Sequence, residues 1–323
     1  MTKTIGVLTS GGDSPGMNAA LRAVVRTALY HGHNIYGIRK GFEGLINDDI
    51  IEMNASSVSN IIKDGGTMLL TARSQDFFTK QGRDKAYNNL QKHGIQSLIV
   101  IGGDGSFKGL HKLLTEHQIQ AIGIPGTIDN DLYGTDYTIG FDTAVNTALQ
   151  AIDKIRDTAT SHSRLFIIEV MGRNAGYIGL YTGISGGAEE ILIPETDSNI
   201  QQVCNHLKQG VKRGKNSSII VVSEGDEAGN AFELKEKIQN LINWEVRVSI
   251  LGHQQRGGSP TAFDRILASR LGYEAIQAIN NDHSDIMIGV VNDTITYTSL
   301  EDTWTKKKGI NYQLITMASI LSS

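Results

Sequence analysis

Hydrophobic runs of strand length alternate with segments of helical period along almost the whole chain. "TIGVLTS", from Thr4 to Ser10, precedes a segment predicted to be helical from about Pro15 to Tyr30. "SLIVIGG" precedes another from about Ser106 to Glu116. "QAIGIPGT" leads, after a polar loop, into a long helical stretch from Asp142 to about Ser161. Then come "RLFIIEVMG", "EEILIPE", "SSIIVVSEG" and "VRVSILG", each separated from the next by a helical segment. Strand runs that are apolar on both faces and joined by helices predict parallel sheets covered on both sides. The fold class is therefore α/β, with doubly wound parallel sheets of Rossmann-like type. At 323 residues the chain exceeds what one hydrophobic core usually supports, so two domains are expected, with a boundary near Ile139 to Phe141.

Composition narrows the classes. With 40% hydrophobic and 20% charged residues the chain is ordinary for a globular protein, and its apolar runs are too short to span a membrane. "MTKTIGVLTSGGD" opens straight into a strand and a glycine turn, so no signal peptide is expected. Cys204 is the only cysteine, which excludes an intramolecular disulfide and a cysteine-rich zinc site and makes the cytoplasm the expected compartment. A net charge of −4 argues against general nucleic-acid binding, so phosphate binding must come from local arginines and backbone N–H groups.

Two strand–turn–helix junctions echo one another: "SGGD" (Ser10 to Asp13) and "IGGD" (Ile101 to Asp104). Ligands of open α/β sheets bind at the carboxyl ends of strands, so these turns and "GTIDND" are expected around one crevice. Neither turn has the G-x-G-x-x-G spacing of a dinucleotide site, and "GVKRGKN" falls one residue short of a Walker loop. "GISGG" around Ser185 matches G-x-S-x-G but sits between helix-like and strand-like segments, the reverse of a nucleophile elbow. Glycines at a strand end let the backbone approach an anion, which suits Gly11, Gly12, Gly103 and Gly105, although tight packing explains any single one equally well. Asp104 inside such a cradle repels phosphate unless a cation intervenes, and magnesium fits that need. Ser106 is placed to cap the following helix. "IDND" reads equally as a turn, a metal ligand set, or a base beside a metal; phosphoryl transfer asks for the last, with Asp129 and Asp131 dividing the tasks.

"LTSGGDSPGMNAALRAVVR", "GGT", "IGGDGS", "PGTIDND", "IGFDTA", "DKIRDTA", "EVMGR", "SEG" and "LGHQQRGGSPTAFDRILASRLG" occur in order from residue 4 to roughly residue 275. Together they resemble the bacterial ATP-dependent 6-phosphofructokinases. The resemblance implies transfer of the γ-phosphoryl of MgATP to the 1-hydroxyl of fructose 6-phosphate, with Asp129 as the base and Arg173 meeting the transferred group. Gly12, Arg73, Ser74 and the turn Gly103, Asp104, Gly105, Ser106 would hold ATP, with Mg2+ on Asp104. Thr127, Ile128, Met171 and Gly172 would line the sugar site, and Glu224 would bind sugar hydroxyls. His253, Gln254, Gln255 and Arg256 would take the 6-phosphate, reached from a neighbouring subunit by Arg164 and Arg247. The resemblance further implies a homotetramer, and a chain that leaves and re-enters its first domain: 1–139 plus about 253–303 for ATP, about 140–252 plus 304–323 for the sugar phosphate.

An effector site for ADP or phosphoenolpyruvate is implied at Arg22, Ala23, Val24, Val25 and Arg26, at Arg156, at Gly187, Ala188 and Glu189, and at Arg213, Lys215, Asn216 and Ser217. Glu189 is the implied metal contact of a bound diphosphate. Ala55, Asn216 and Ser217 stand where cationic residues or histidine are common, so weakened regulation is expected. Pyrophosphate-using relatives carry aspartate where Gly105 stands and lysine where Gly126 stands, so the two glycines point to ATP, while Ala175 and Tyr177 pull mildly the other way. A pyrophosphate-dependent enzyme and a silent nucleotide-binding regulator are the alternatives.

Overall fold

The structure is a computed structural model that describes residues 2–162, 164–242 and 244–322. The chain forms two compact units. Unit 1 takes the chain up to Thr127, then Leu132–Thr143 and Arg256–Lys308; unit 2 takes Ile128–Asp131, Ala144–Gln255 and the residues from Gly309 on. The crossings thus fall at 143/144, 255/256 and 308/309, a few residues later than the sequence suggested. The short stretch holding Asp129 groups with unit 2, although the strand before it belongs to unit 1.

Unit 1 opens with β1 (Thr4–Thr9), β2 (Asn34–Ile38), β3 (Ile50–Glu52), β4 (Ser97–Gly102) and β5 (Gln120–Pro125). Unit 2 supplies β6 (Leu165–Val170), β7 (Glu190–Leu192), β8 (Ser218–Ser223) and β9 (Val246–Ile250), and the chain returns to unit 1 for β10 (Ile286–Val291) and β11 (Thr294–Ser299). The unit 1 sheet has the order β11-β10-β5-β4-β1-β2-β3. Its five inner strands are parallel and its edge strands, β3 and β11, antiparallel. The unit 2 sheet, β7-β8-β6-β9, is parallel throughout.

The helices are α1 (Met17–Tyr30), α2 (Gly41–Ile46), α3 (Lys80–Lys92), α4 (Asp104–Glu116), α5 (Phe141–His162), α6 (Tyr177–Ser185), α7 (Ile200–Lys212), α8 (Ala231–Gln239), α9 (Ala262–Asn280), α10 (Asp302–Thr305) and α11 (Tyr312–Ser322). One face of the unit 1 sheet packs Ile5, Val7, Ile99 and Ile101 on α1 and α9; the other packs Leu8, Leu98 and Val100 on α2, α3 and α4. Every residue of β4 is buried, as is every residue of β8. Each fully buried aliphatic side chain contributes about 1.5–3 kcal/mol, so a strand apolar on both faces is stable only with helices over both.

Three boundaries differ from expectation for local reasons. α1 begins at Met17 because Gly16, at φ 108°, cannot be helical. α4 begins at Asp104 with Gly103 as its N-cap, so Ser106 lies inside the first turn and is not the cap. The hairpin β10–β11 was not among the expected elements; its turn at Asn292 and Asp293, both with positive φ, is a two-residue type I′ connection. No helix among the described residues is long and apolar enough to cross a membrane.

Asp264, in the first turn of α9, is fully buried and accepts from Gly140 N (2.8 Å), Thr143 N (2.8 Å) and Thr143 Oγ1 (2.5 Å). Burial pushes its carboxyl up to about 6, against these hydrogen bonds and with some help from the Asp142 charge. A folded value above the unfolded one means that folding takes up a proton, so this group's contribution is complete below the unfolded value and is lost as pH rises through 6. Wild type is therefore expected to gain about 1 kcal/mol relative to Asp264→Asn between pH 7 and pH 5, read from denaturant unfolding of both proteins at each pH. A difference that does not change with pH refutes the assignment.

Candidate active site

In unit 1 the chain runs from β1 out to β2 and later returns on the other side of β1 as β4, so the sheet reverses its winding between β1 and β4. Doubly wound sheets bind ligands at the carboxyl ends beside such a reversal. The turn after β1 contains Gly11 (φ 84°) and Gly12, and β4 passes through Gly103 straight into the first turn of α4, Asp104 to Ser106. Ser10 N donates to Ile101 O (2.9 Å), Gly126 N to Gly102 O (2.9 Å), and Ser106 Oγ to Ser10 Oγ (2.9 Å), which joins the ends of all three strands. The expectation that the two glycine turns come together is met inside this unit, with Ser106 tying one to the other.

The glycines differ in what surrounds them. A Cβ on Gly102 would lie 2.7 Å from Ser10 O, and one on Gly126 would lie 3.0 Å from Ile101 Cγ2 and 3.1 Å from Met17 Cε, so both serve packing. A Cβ on Gly105 would meet nothing within 4 Å. An aspartate would fit there sterically, so glycine at 105 leaves open space and adds no negative charge at the start of α4. Asp104 stands at that helix start, 40% exposed, with Lys108 Nζ 3.2 Å from its Oδ2. Among the described residues no group of three or more His, Cys, Asp or Glu is arranged to hold a metal. A lone carboxylate fits a magnesium ion that completes its shell with phosphate oxygens and water. Arg73 is exposed on the irregular segment before α3, and Ser74 Oγ accepts from Phe77 N (3.4 Å).

Arg256 faces the first glycine turn. The chain has just re-entered unit 1 there, and a Cβ on Gly12 would lie 1.7 Å from its Nη1, so the guanidinium covers the first glycine turn. Its buried Nε has no hydrogen-bond partner among the described residues. Arg256 therefore stands with the donor turn, whereas His253, Gln254 and Gln255 belong to unit 2.

In unit 2 the winding reverses between β6 and β9, and the loops after these strands carry Met171 to Arg173 and Gly252 to Gln255. Gln255 is fully buried and its Oε1 accepts from Met171 N (2.8 Å), which joins the two loops. His253 and Gln254 are exposed on the same short turn. Glu224, after β8, accepts from Gly172 N (3.3 Å) and Arg173 N (2.9 Å) through one oxygen. These bonds hold a turn with Gly172 at φ 147° and Arg173 at φ 54°. A left-handed arginine is costly and calls for such an anchor. The result aims a 58% exposed guanidinium at Asp129: Arg173 Nε lies 3.5 Å from Oδ2 of a carboxylate that is almost wholly buried. Glu224 was expected to bind sugar hydroxyls alone; positioning Arg173 was missed, because the bond joins loops 51 residues apart. Thr127 is anchored by its carbonyl, which accepts from Thr138 Oγ1 (2.6 Å).

Arg164 and Arg247 sit at the amino ends of β6 and β9, a strand length, about 20 Å, from the loops at the carboxyl ends. Both pair with Glu245, Arg164 Nε at 2.8 Å, a carboxylate that sequence reasoning did not single out. Ser185 ends α6 and donates to Tyr181 O (2.7 Å), which removes the nucleophile-elbow reading. Ala175 and Tyr177 are buried and pack within unit 2, and burial together with the charges of Glu195 and Asp131 pushes the Tyr177 phenol well up.

Of the effector residues, one group converges in unit 2. Arg156 Nη2 donates to Gly186 O (2.6 Å) and Gly187 O (2.7 Å), Glu189 Oε2 accepts from Ile219 N (2.6 Å), and Lys215 Nζ lies 3.6 Å from Glu189 Oε1. Gly187, Ala188, Glu189 and Lys215 line a cavity of about 60 Å³ with Ala318, Leu321 and Ser322 of α11. Arg213, Asn216 and Ser217 lie on the turn between α7 and β8. Arg22 and Arg26 stand on α1 in unit 1, but Val24 and Val25 between them are fully buried in the core and offer no side chain to a ligand.

A family model described as Phosphofructokinase matches residues 4–279. The chain is 54% identical over 320 residues to "ATP-dependent 6-phosphofructokinase 1" of Thermus thermophilus, covering 99% of each chain. Phosphofructokinase from Saccharomyces cerevisiae is similar with a TM-score of 0.89 and 34% identity, over 99% of this chain and 48% of that one. The pyrophosphate-dependent phosphofructokinase of Marinobacter aquaeolei shares the fold, with a TM-score of 0.86 at 24% identity over 98% of this chain and 88% of that one. The same fold is thus found in a pyrophosphate-dependent enzyme. Two reversed sheets, a bridged pair of glycine turns and an arginine bent toward a buried aspartate agree with a match over most of the chain's length, and the protein belongs to the phosphofructokinase family.

Proposed function

We propose that the protein transfers the γ-phosphoryl of ATP to the 1-hydroxyl of fructose 6-phosphate, giving fructose 1,6-bisphosphate and ADP. Full-length similarity to an ATP-dependent 6-phosphofructokinase supports this reading. The observation that carries it is the buried Asp129 carboxylate with the Arg173 guanidinium 3.5 Å away.

Asp129 accepts the proton of the 1-hydroxyl as that oxygen bonds to the γ-phosphorus, and the bond from the γ-phosphorus to the β–γ bridging oxygen breaks, leaving ADP. Arg173 is free on its outer face to meet the transferring group, where a cation fixed in advance favours the transition state. The backbone N–H groups at the start of α4 cradle the donor phosphates. Asp104 would hold Mg2+, which when bound supplies positive charge to the donor phosphates. Gly105, in open space, favours the longer nucleotide over pyrophosphate.

The enzyme works as a homotetramer in the cytoplasm, with Arg164 and Arg247 completing a neighbour's sugar-phosphate site; their distance along β6 and β9 from their own chain's loops supports this. ADP or phosphoenolpyruvate binds at the Arg156, Glu189 and Lys215 group, with a weakened response because the neighbouring positions 216 and 217 are uncharged. Initial rates of fructose 1,6-bisphosphate formation with ATP and with pyrophosphate, compared side by side, test the donor. Turnover with ATP alone is expected. Turnover with pyrophosphate alone overturns the donor assignment, and turnover with neither overturns the reaction.

A further inference from the structure

We propose that Asp264 and Thr143 form a clasp that positions the end of β5, which leads into Asp129, and the donor turn of unit 1, beyond capping two helices. The inference rests on the kinase reading above. The N-termini of α5 and α9 hold one another reciprocally. Thr261, the N-cap of α9, accepts from Asp264 N through Oγ1 (3.2 Å) and donates the same hydroxyl to Asp142 Oδ2 (2.6 Å). Thr261 N donates to Thr143 Oγ1 (3.0 Å), and Thr143 Oγ1 donates in turn to Asp264 Oδ2 (2.5 Å). The Asp264 carboxylate also takes the N–H groups of Gly140 and Thr143. Each hydroxyl gives one hydrogen bond and accepts one, so the ring closes with no donor or acceptor in conflict.

Both arms of this clasp lead to the site. On the α5 arm, Ile139 N donates to Pro125 O (2.9 Å) and Thr138 Oγ1 to Thr127 O (2.6 Å), which fixes the end of β5 two residues before Asp129. On the α9 arm, the turn back to Arg256 is pinned where Ser259 Oγ donates to Lys63 O (2.7 Å), and Arg256 then covers Gly12. The first-turn segment packs on the clasp as well, since a Cβ on Gly140 would lie 2.6 Å from Ser14 Cβ. The clasp also stands where the chain leaves unit 1 after Thr143, and five residues beyond its return at Arg256.

Capping alone does not explain a fully buried carboxylate. A helix N-terminus is served by an exposed serine, threonine or asparagine, whereas an ionised group taken out of water is costly unless its partners are fixed. Three donors converging on one carboxylate fix a geometry, and small displacements of reacting groups lower rates steeply.

Asp264→Asn must turn an NH2 group toward one of three donors, and Thr143→Val removes the hydroxyl that links the two helices; Thr143→Ser keeps it. At a temperature where circular dichroism shows each protein folded, the first two variants are expected to lose roughly 10- to 100-fold in kcat with KM for both substrates within about threefold, and Thr143→Ser to stay near wild type. Lowered melting temperature with kcat at the wild-type level in folded Asp264→Asn and Thr143→Val overturns the clasp and leaves two helix caps. Should Asp264→Asn fail to fold, the Thr143→Val and Thr143→Ser pair decides. An inactive wild type instead overturns the kinase reading itself, so the two failures are distinct.

Discussion

Replacing Asp129 with serine is expected to lower kcat by about 10²- to 10⁴-fold while ATP affinity changes by no more than a few-fold. That loss corresponds to about 3 to 5 kcal/mol of transition-state stabilisation, the range of a positioned general base. The geometry separates the effects. Asp129 is almost wholly buried, its carboxylate faces Arg173, and it groups with unit 2, whereas the glycine turns that cradle the donor belong to unit 1. Serine keeps a hydroxyl but has no basic site to receive the acceptor's proton, so the chemical step suffers and donor binding does not. Single-turnover rates with saturating substrates, together with calorimetric titration of the free enzyme with MgATP, measure both quantities. A variant that retains a tenth or more of wild-type kcat removes Asp129 from the role of base. A wild type that binds MgATP yet never forms fructose 1,6-bisphosphate is a nucleotide-binding regulator.

Much of the donor site was legible in the sequence because its determinants are local. A buried strand, two glycines and a helix follow one another in a continuous stretch, 4–30 for the first and 97–116 for the second, so "SGGD" and "IGGD" announce their turns, and parallel pairing of β1 with β4 brings them side by side. The acceptor loops were legible as motifs but not as an arrangement. Glu224 holds Arg173 from 51 residues away, and Gln255 holds Met171 from 84 residues away. No periodicity along the chain encodes such pairings. Arg256 shows the same limit: "HQQRGG" reads as one loop, yet the chain changes unit between Gln255 and Arg256. Val24 and Val25, named with the two arginines, have buried side chains for a different reason. The two arginines at i and i+4 share an outward face, and Val24 and Val25 between them turn inward into the core, while Ala23 is half-buried. Asp264 gave no local signal at all, since "TAFDR" is an ordinary capped helix start and its three partners lie more than 120 residues upstream.

Arg173 separates catalysis from stability more sharply than any other residue of the site. Both Arg173→Ala and Arg173→Gly are expected to lower kcat by about 10²- to 10³-fold, because each removes a cation fixed where charge develops on the transferring group. Their stabilities are expected to differ. At φ 54° an alanine keeps the clash of a Cβ with its own backbone, about 1–2 kcal/mol, which glycine escapes. Glycine gives back about 0.5–1 kcal/mol through the greater freedom of its unfolded chain. The glycine variant should therefore be the more stable by about 0.5–1 kcal/mol, while the two are equally slow. Both lose the same ion pair with Asp129, so that cost cancels between them. Glu224 extends the test. Glutamine there still offers an oxygen to the N–H groups of Gly172 and Arg173 and should keep most of kcat, whereas alanine releases the turn and should approach the Arg173 variants in rate. Denaturant unfolding and kcat for the four proteins give both axes. Glycine and alanine variants of equal stability would show that the turn at 173 carries no strain. A Glu224→Ala enzyme as fast as wild type would show that Arg173 finds its place without the bond from β8.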